Sequence, residues 1–104
     1  MSTNSERISQ IRSKVREERA LLSELEHKIA DEEVKKVLLD PASLRLDQVE
    51  GFYLDQKTLD ETRSEAAWSR WLDGAERELA SAIKRRAQAE ETIRKFGPNV
   101  KIIG

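Results

Sequence analysis

The chain has 104 residues, and its 19 basic residues nearly cancel its 20 acidic ones, so the molecule as a whole has little attraction for polyanions. The absence of cysteine excludes disulfides, thiol catalysis and thiolate metal sites. Glycine and proline are scarce in a chain rich in Ala, Leu, Glu, Lys and Arg, which is typical of long helices. We therefore expect a single all-α domain over residues 1–104.

The N-terminal segment MSTNSERISQ has no apolar core, so it does not resemble a secretory signal. No apolar run approaches the roughly 20 residues that a membrane span needs. These features favour a cytoplasmic protein that does not bind a membrane.

The first predicted element is a long amphipathic helix over residues 3–39. Its apolar stripe follows a heptad spacing and consists of Ile8, Ile11, Val15, Leu22, Leu25, Ile29 and Leu39. Glu18 and Glu32 interrupt this stripe. We expect the helix to end before Pro41, because the residue that precedes a proline avoids helical backbone angles.

A connector is predicted over residues 40–57. It is too apolar for a free loop, since it contains Leu44, Leu46, Val49, Phe52, Tyr53 and Leu54. We expect a short helix near 41–50 that stops at Gly51, and this segment would turn the chain and cover one end of the helix pair.

The second long helix is predicted over residues 58–96. Its stripe consists of Trp68, Leu72, Ala75, Leu79, Ala82, Ala89, Ile93 and Phe96. Arg86 interrupts the stripe. Gly97 and Pro98 then end the helix, because glycine suits a left-handed cap and proline cannot continue a helix. The tail over 97–104 is predicted to be extended, docked on the helices or on a partner.

The two helices have similar lengths, which predicts an antiparallel two-helix coiled-coil hairpin with a short connecting helix. In this arrangement the small alanines of the second helix face the bulky aliphatic residues at the start of the first. Several apolar residues flank the stripes: Leu21, Val34, Val37, Leu38, Leu59 and Ile83. A homodimer that forms a helical bundle would cover them, so we expect a dimer rather than a monomer.

Aromatic residues give the first candidate site. Trp68 lies on the predicted stripe, and Trp71 lies at its flank. One interpretation places both rings in the helix–helix contact. The other makes Trp71, with Phe52 and Tyr53, an exposed anchor for another protein, because aromatic residues dominate protein interfaces. The two interpretations are compatible if Trp68 points inward and Trp71 outward.

Basic residues near the C-terminus give the second candidate site. The candidate polyanion-binding residues are Lys84, Arg85, Arg86, Arg94 and Lys95. The hairpin would bring them next to the basic residues within 7–19 at the start of the first helix, which predicts a surface for nucleic acid or anionic lipid. The competing interpretation is two solvated helix faces, with basic residues that complement the dipole at the end of the second helix.

Few residues of the chain could act in catalysis or bind a metal ion. His27 is the single histidine, and nothing around it indicates a role beyond a surface position. Adjacent carboxylates point to different faces of a helix, so they do not form a joint metal site. We expect no catalytic site, metal or cofactor. The sequence thus predicts a non-enzymatic structural or interaction protein: an adaptor, assembly factor or chaperone-like subunit that binds another protein. The alternative is a small nucleic-acid-binding module that uses the basic end of the hairpin.

Overall fold

The computed structural model describes residues 4–55 and 64–97, and these residues are almost entirely helical. There are three α-helices, α1 (Asn4–Lys28), α2 (Glu32–Gln48) and α3 (Glu65–Phe96), and a π-helical turn (Val49–Tyr53) that continues α2. No strand occurs in these two stretches, so the predicted all-α class is confirmed. The predictions for the second helix before residue 64 and for the tail after Gly97 lie outside the described residues.

The prediction of one continuous helix over residues 3–39 is wrong. This part of the chain forms α1 and the first part of α2, and the chain reverses direction between them. Asp31 has an extended backbone (φ −88°, ψ 122°), and its side chain accepts hydrogen bonds from the amides of Glu33 at 2.9 Å and Val34 at 3.3 Å. These bonds satisfy amides that have no partner at the start of a helix. Ile29 before the reversal and Val34 after it are both buried, so the core anchors the turn on both sides.

Pro41 lies inside α2, although the sequence predicts it as the end of a helix. A proline removes the hydrogen bond to the carbonyl four residues earlier, which here belongs to Val37. Val37 is 58% exposed, so the proline interrupts the helix on its solvent side. On the opposite face of α2, Ala42 and Leu46 are completely buried. The short helix predicted near 41–50 is therefore the second half of α2, extended by the π-helical turn.

Cross-helix ion pairs fix the directions of the three helices. They join Arg19 of α1 to Asp47 and Glu50, Arg45 of α2 to Glu78, Arg7 of α1 to Asp73, and Glu18 of α1 to Arg86. Residue numbers rise together between α1 and α3, from Arg7–Asp73 to Glu18–Arg86. Between α2 and α3 they run in opposite directions, because Arg45 binds Glu78 whereas Tyr53, further along, accepts a hydrogen bond from Trp71. The chain reverses at Asp31, so α2 also runs opposite to α1. The helices thus run up, down and up, and the predicted antiparallel pairing of the first and last helices is wrong. The return through α2 allows α1 and α3 to lie parallel.

Side-chain caps define the ends of α3. Ser64 is the N-cap, and its hydroxyl accepts a hydrogen bond from the amide of Ala67 at 3.1 Å. α3 therefore begins directly after Ser64. It ends at Phe96, where Gly97 has φ of 79° and donates its amide to the carbonyl of Ile93 at 2.7 Å. This left-handed backbone angle is one that glycine adopts without steric cost.

The core follows the predicted stripes closely. The buried apolar residues are Ile11, Val15, Leu22, Leu25 and Ile29 from the first segment, Val34, Leu39, Ala42, Leu46, Val49 and Leu54 from the second, and Leu72, Ala75, Leu79, Ala82, Ala89 and Ile93 from α3. Three members of the predicted stripes differ: Ile8 and Trp68 are only partly buried, and Phe96 is 67% exposed at the end of α3. The heptad pattern thus identified most of the buried residues, although it did not reveal the number of helices or their relative directions.

Candidate protein-binding site

The π-helical turn brings together the three aromatic residues that the sequence predicts to bind a partner. The centroids of the Tyr53 and Trp71 rings are 4.9 Å apart, those of Phe52 and Trp71 are 5.2 Å apart, and those of Phe52 and Tyr53 are 5.3 Å apart. Tilted and edge-on pairs at these distances stabilise a structure by about 0.5–1.5 kcal/mol each beyond simple burial. We call these three residues the aromatic cluster.

A hydrogen bond fixes the cluster to the backbone. The indole Nε1 of Trp71 donates to the carbonyl oxygen of Tyr53 at 2.8 Å. This carbonyl lies at the end of the π-helical turn, where backbone acceptors lack a partner within the helix. The indole therefore caps the turn and locks the end of α2 against α3.

Gly74 makes the close approach of Tyr53 to α3 possible. A Cβ atom at position 74 would lie 2.8 Å from Cε1 of Tyr53, well inside van der Waals contact. The glycine thus provides the space that the tyrosine ring occupies. The sequence shows a lone glycine within a helix, but only the structure identifies the ring that it accommodates.

A second part of the site lies along α2. Val37 and Leu44 are seven residues apart, so they point in the same direction, and Leu44 is 65% exposed. Phe52, which is 47% exposed, follows eight residues later at the π-helical turn. We call Val37, Leu44 and Phe52 the α2 outer face. It lies opposite the buried side of α2, and it holds three of the four large apolar residues that are exposed in the described stretches.

The sequence analysis missed this face for an identifiable reason. With Pro41 taken as a boundary, Val37 and Leu44 belonged to different predicted elements, so their common orientation could not be recognised. A helix continued through the proline would have revealed the seven-residue spacing.

The structure places the predicted polyanion-binding residues in two different environments. Arg86, which was assigned to that surface, instead forms an ion pair in the core: its Nε lies 2.7 Å from Oε2 of Glu18, and its Nη2 lies 3.1 Å from Oε1. Its Nη1 also donates to Glu90 at 2.7 Å. These bonds, first of all the one to Glu18, raise the pKa of Arg86 above its ordinary value. Its donors are directed to carboxylates of the same chain.

The other basic residues of this group, Lys84, Arg85, Arg94 and Lys95, are exposed on α3. Lys84 and Lys95 point in nearly the same direction, because they are eleven residues apart on the helix. At the start of α1, Arg7 binds Asp73 at 2.7 Å and Glu76 at 2.8 Å, and these hydrogen bonds raise the pKa of Arg7. Because α1 and α3 run parallel, Arg7 lies beside the start of α3, far from its basic end. The antiparallel hairpin that was predicted to gather the basic residues does not form.

His27 is exposed near the end of α1. Residues 4–55 and 64–97 contain no group of three or more His, Cys, Asp or Glu side chains arranged to hold a metal ion. Within the same residues, no helix has the length and apolar character to cross a membrane.

Comparison with known proteins found no matching family model, no matching curated protein and no matching solved structure.

Proposed function

We propose that this protein is a non-enzymatic interaction protein that binds another protein through the α2 outer face and the adjacent aromatic cluster. The observation that carries the proposal is the alignment of Val37, Leu44 and Phe52 on one exposed face. Single exposed apolar residues are ordinary on protein surfaces, but an aligned group of large ones marks a surface that another molecule covers. An adaptor, an assembly factor or a chaperone-like subunit fits this description.

The aromatic cluster supports this role because it is held in place before any partner arrives. Phe52 packs against Tyr53 and Trp71, and Gly74 and the Trp71 hydrogen bond hold those two rings. An anchor that is already ordered loses little conformational entropy on binding, which favours affinity. Aromatic side chains at the centre of a contact contribute a large share of its binding energy.

The spacing of the face indicates the shape of its partner. Apolar residues seven residues apart on a helix match the stripe of a second amphipathic helix. A second copy of this chain is one such partner, so a homodimer that packs two α2 helices together is part of the proposal. A cytoplasmic location, which the sequence predicts, also belongs to it. The nucleic-acid alternative is not proposed, because Arg86 is bound to Glu18 and the antiparallel hairpin that the alternative assumed does not form.

Affinity capture with quantitative mass spectrometry tests the proposal. The tagged wild type is compared with a Leu44→Ser, Phe52→Ser double variant and with Phe96→Ser as a matched control. Phe96 is an equally exposed large apolar residue, but it lies on α3 away from the α2 outer face. We expect one or more partners to be retained by the wild type and by the control and lost from the double variant.

Light scattering on the pure proteins tests the homodimer separately. If two copies pair through α2, the wild type and Phe96→Ser have twice the mass of the chain, whereas the double variant has the mass of one chain. If both the captured proteins and the oligomeric state are the same in all three proteins, the α2 outer face is not the binding surface.

A further inference from the structure

Three arginines form a column on α1, on the side that faces α2. Arg12, Arg16 and Arg19 are four and three residues apart, so they share one face of the helix over about 10 Å. Arg12 and Arg16 are exposed, and neither forms a hydrogen bond or ion pair with any residue that the structure describes. This distinguishes them from Arg7 and Arg86, which are bound to carboxylates of the same chain.

Arg19 is held in position by α2 and the π-helical turn. Its Nη2 lies 2.7 Å from Oδ1 of Asp47, and its Nε donates to Oε1 of Glu50. The hydrogen bond to Asp47 is the main cause of a raised pKa of Arg19, so this guanidinium keeps its charge. The two bonds use one edge of the guanidinium and leave Nη1 without a hydrogen bond to any described residue.

The column lines a cleft between α1 and the end of the π-helical turn. The cleft has a volume of about 360 Å³ and is lined by Arg12, Arg16, Arg19, Glu50 and Leu54. Its wall thus presents three guanidinium groups against one carboxylate, and Leu54 is its apolar component. The volume lies near the lower end of the range for sites that bind small molecules, about 300–1,000 Å³.

We propose that this cleft binds a small anion with several linked phosphoryl groups, an oligophosphate. Guanidinium groups bind phosphate oxygens through paired, charge-assisted hydrogen bonds, and an arginine presents this fork without a change of protonation. A column about 10 Å long spans more than one phosphoryl group, so a linked series of them uses more of the donors than a single phosphate does. The carboxylate of Glu50 repels an anion from the α2 side, which places the ligand against Arg12 and Arg16.

A long nucleic acid is a poorer match for this site. A polynucleotide needs cations that continue along its backbone, and the exposed cations of α3, such as Lys84, lie on the side of that helix turned away from the core. The carboxylate of Glu50, which also lines the cleft, would repel a continuous polyanion. This inference is independent of the proposed protein-binding function, because the residues of the cleft and of the α2 outer face are different.

Isothermal titration calorimetry at low ionic strength tests the proposal, with inorganic tripolyphosphate, pyrophosphate and phosphate as probes and citrate as a carboxylate of similar charge. We expect affinity to fall in the order tripolyphosphate, pyrophosphate, phosphate, and citrate to bind more weakly than tripolyphosphate. An Arg12→Gln, Arg16→Gln variant should lose at least about tenfold in tripolyphosphate affinity, because two charge-assisted contacts are removed. A Lys84→Gln, Arg85→Gln variant loses the same charge from exposed positions on α3 and should bind as the wild type does.

Four results would overturn the proposal. They are equal losses in the two variants, citrate binding as tight as tripolyphosphate, no binding of tripolyphosphate at millimolar concentration, and tighter binding of a single-stranded oligonucleotide that depends on the same arginines. Both variants change exposed side chains, and circular dichroism spectra that match the wild type verify that each is folded.

Discussion

The ion pair between Glu18 and Arg86 provides the sharpest test of the structure. The Glu18 side chain is 1% exposed and accepts two hydrogen bonds from the Arg86 guanidinium, which is itself 16% exposed. The two partners therefore differ in their access to water. This difference predicts that removing Arg86 destabilises the protein more than removing Glu18 does.

An Arg86→Met variant leaves the Glu18 carboxylate buried without a cation, and breaking a buried pair in this way costs about 3–5 kcal/mol. A Glu18→Leu variant leaves Arg86 with Glu90 at 2.7 Å and with partial access to water. We expect that variant to lose less, about 1.5–3 kcal/mol, the scale of a hydrogen bond to a charged group. The double variant restores an apolar contact of similar volume, so its stability should equal or exceed that of the wild type.

Urea unfolding followed by far-ultraviolet circular dichroism measures all four proteins in a double-mutant cycle. The expected order of stability is the double variant at or above the wild type, then Glu18→Leu, then Arg86→Met. Additive effects in the double variant, or equal small losses in the two single variants, would show that the pair is not buried between α1 and α3.

Two further predictions concern packing. Leu72→Ala should lower the free energy of unfolding by about 2–5 kcal/mol, because Leu72 is fully buried. The control Leu44→Ala should change it by less than about 0.5 kcal/mol, because Leu44 is exposed. Equal urea midpoints for the two variants would contradict the assigned buried and exposed faces. Gly74→Ala should destabilise the protein and change tryptophan fluorescence, because displacing the packed Tyr53 ring costs about 1–3 kcal/mol against a helix-propensity gain of about 1 kcal/mol. Gly51→Ala, where a Cβ meets nothing within 4 Å, is the control and should not destabilise; a stabilised Gly74→Ala would refute the role of that glycine.

The buried faces could be predicted from the sequence because the spacing of apolar residues records them directly. The reversal at Asp31 could not be found in the same way, since Ile29 and Leu39 stay in phase with one heptad repeat across the break. A local signal was present, because Asp31 followed by Glu32 and Glu33 is a favourable start for a helix. The repeat pointed to one continuous helix, and the capping residue was overlooked.

The aromatic cluster was predicted as a set of residues but not as a geometry. Composition and position suggested that Phe52, Tyr53 and Trp71 act together. Their arrangement depends on the π-helical turn, which no simple periodicity indicates, and on the space that Gly74 leaves beside α3. The α2 outer face could be recognised only if the helix was known to continue through Pro41. Burial of Ala42 and Leu46 on the opposite side of α2 stabilises that continuation.

The relative direction of α1 and α3 follows from the two charged residues that interrupt their stripes. Apolar stripes with heptad spacing fit equally well in parallel and antiparallel pairs, so they do not select a direction. An antiparallel hairpin with residue 3 opposite residue 96 would put Glu18 opposite Ser81 and Arg86 opposite Ser13, which leaves two opposite charges buried and separate. Isolated buried charges are costly, whereas the parallel alignment joins them through two hydrogen bonds at 2.7 and 3.1 Å. Opposite charges at the interruptions of two stripes are therefore a sequence signal for direction, and a helix that returns the chain, such as α2, is what that signal requires.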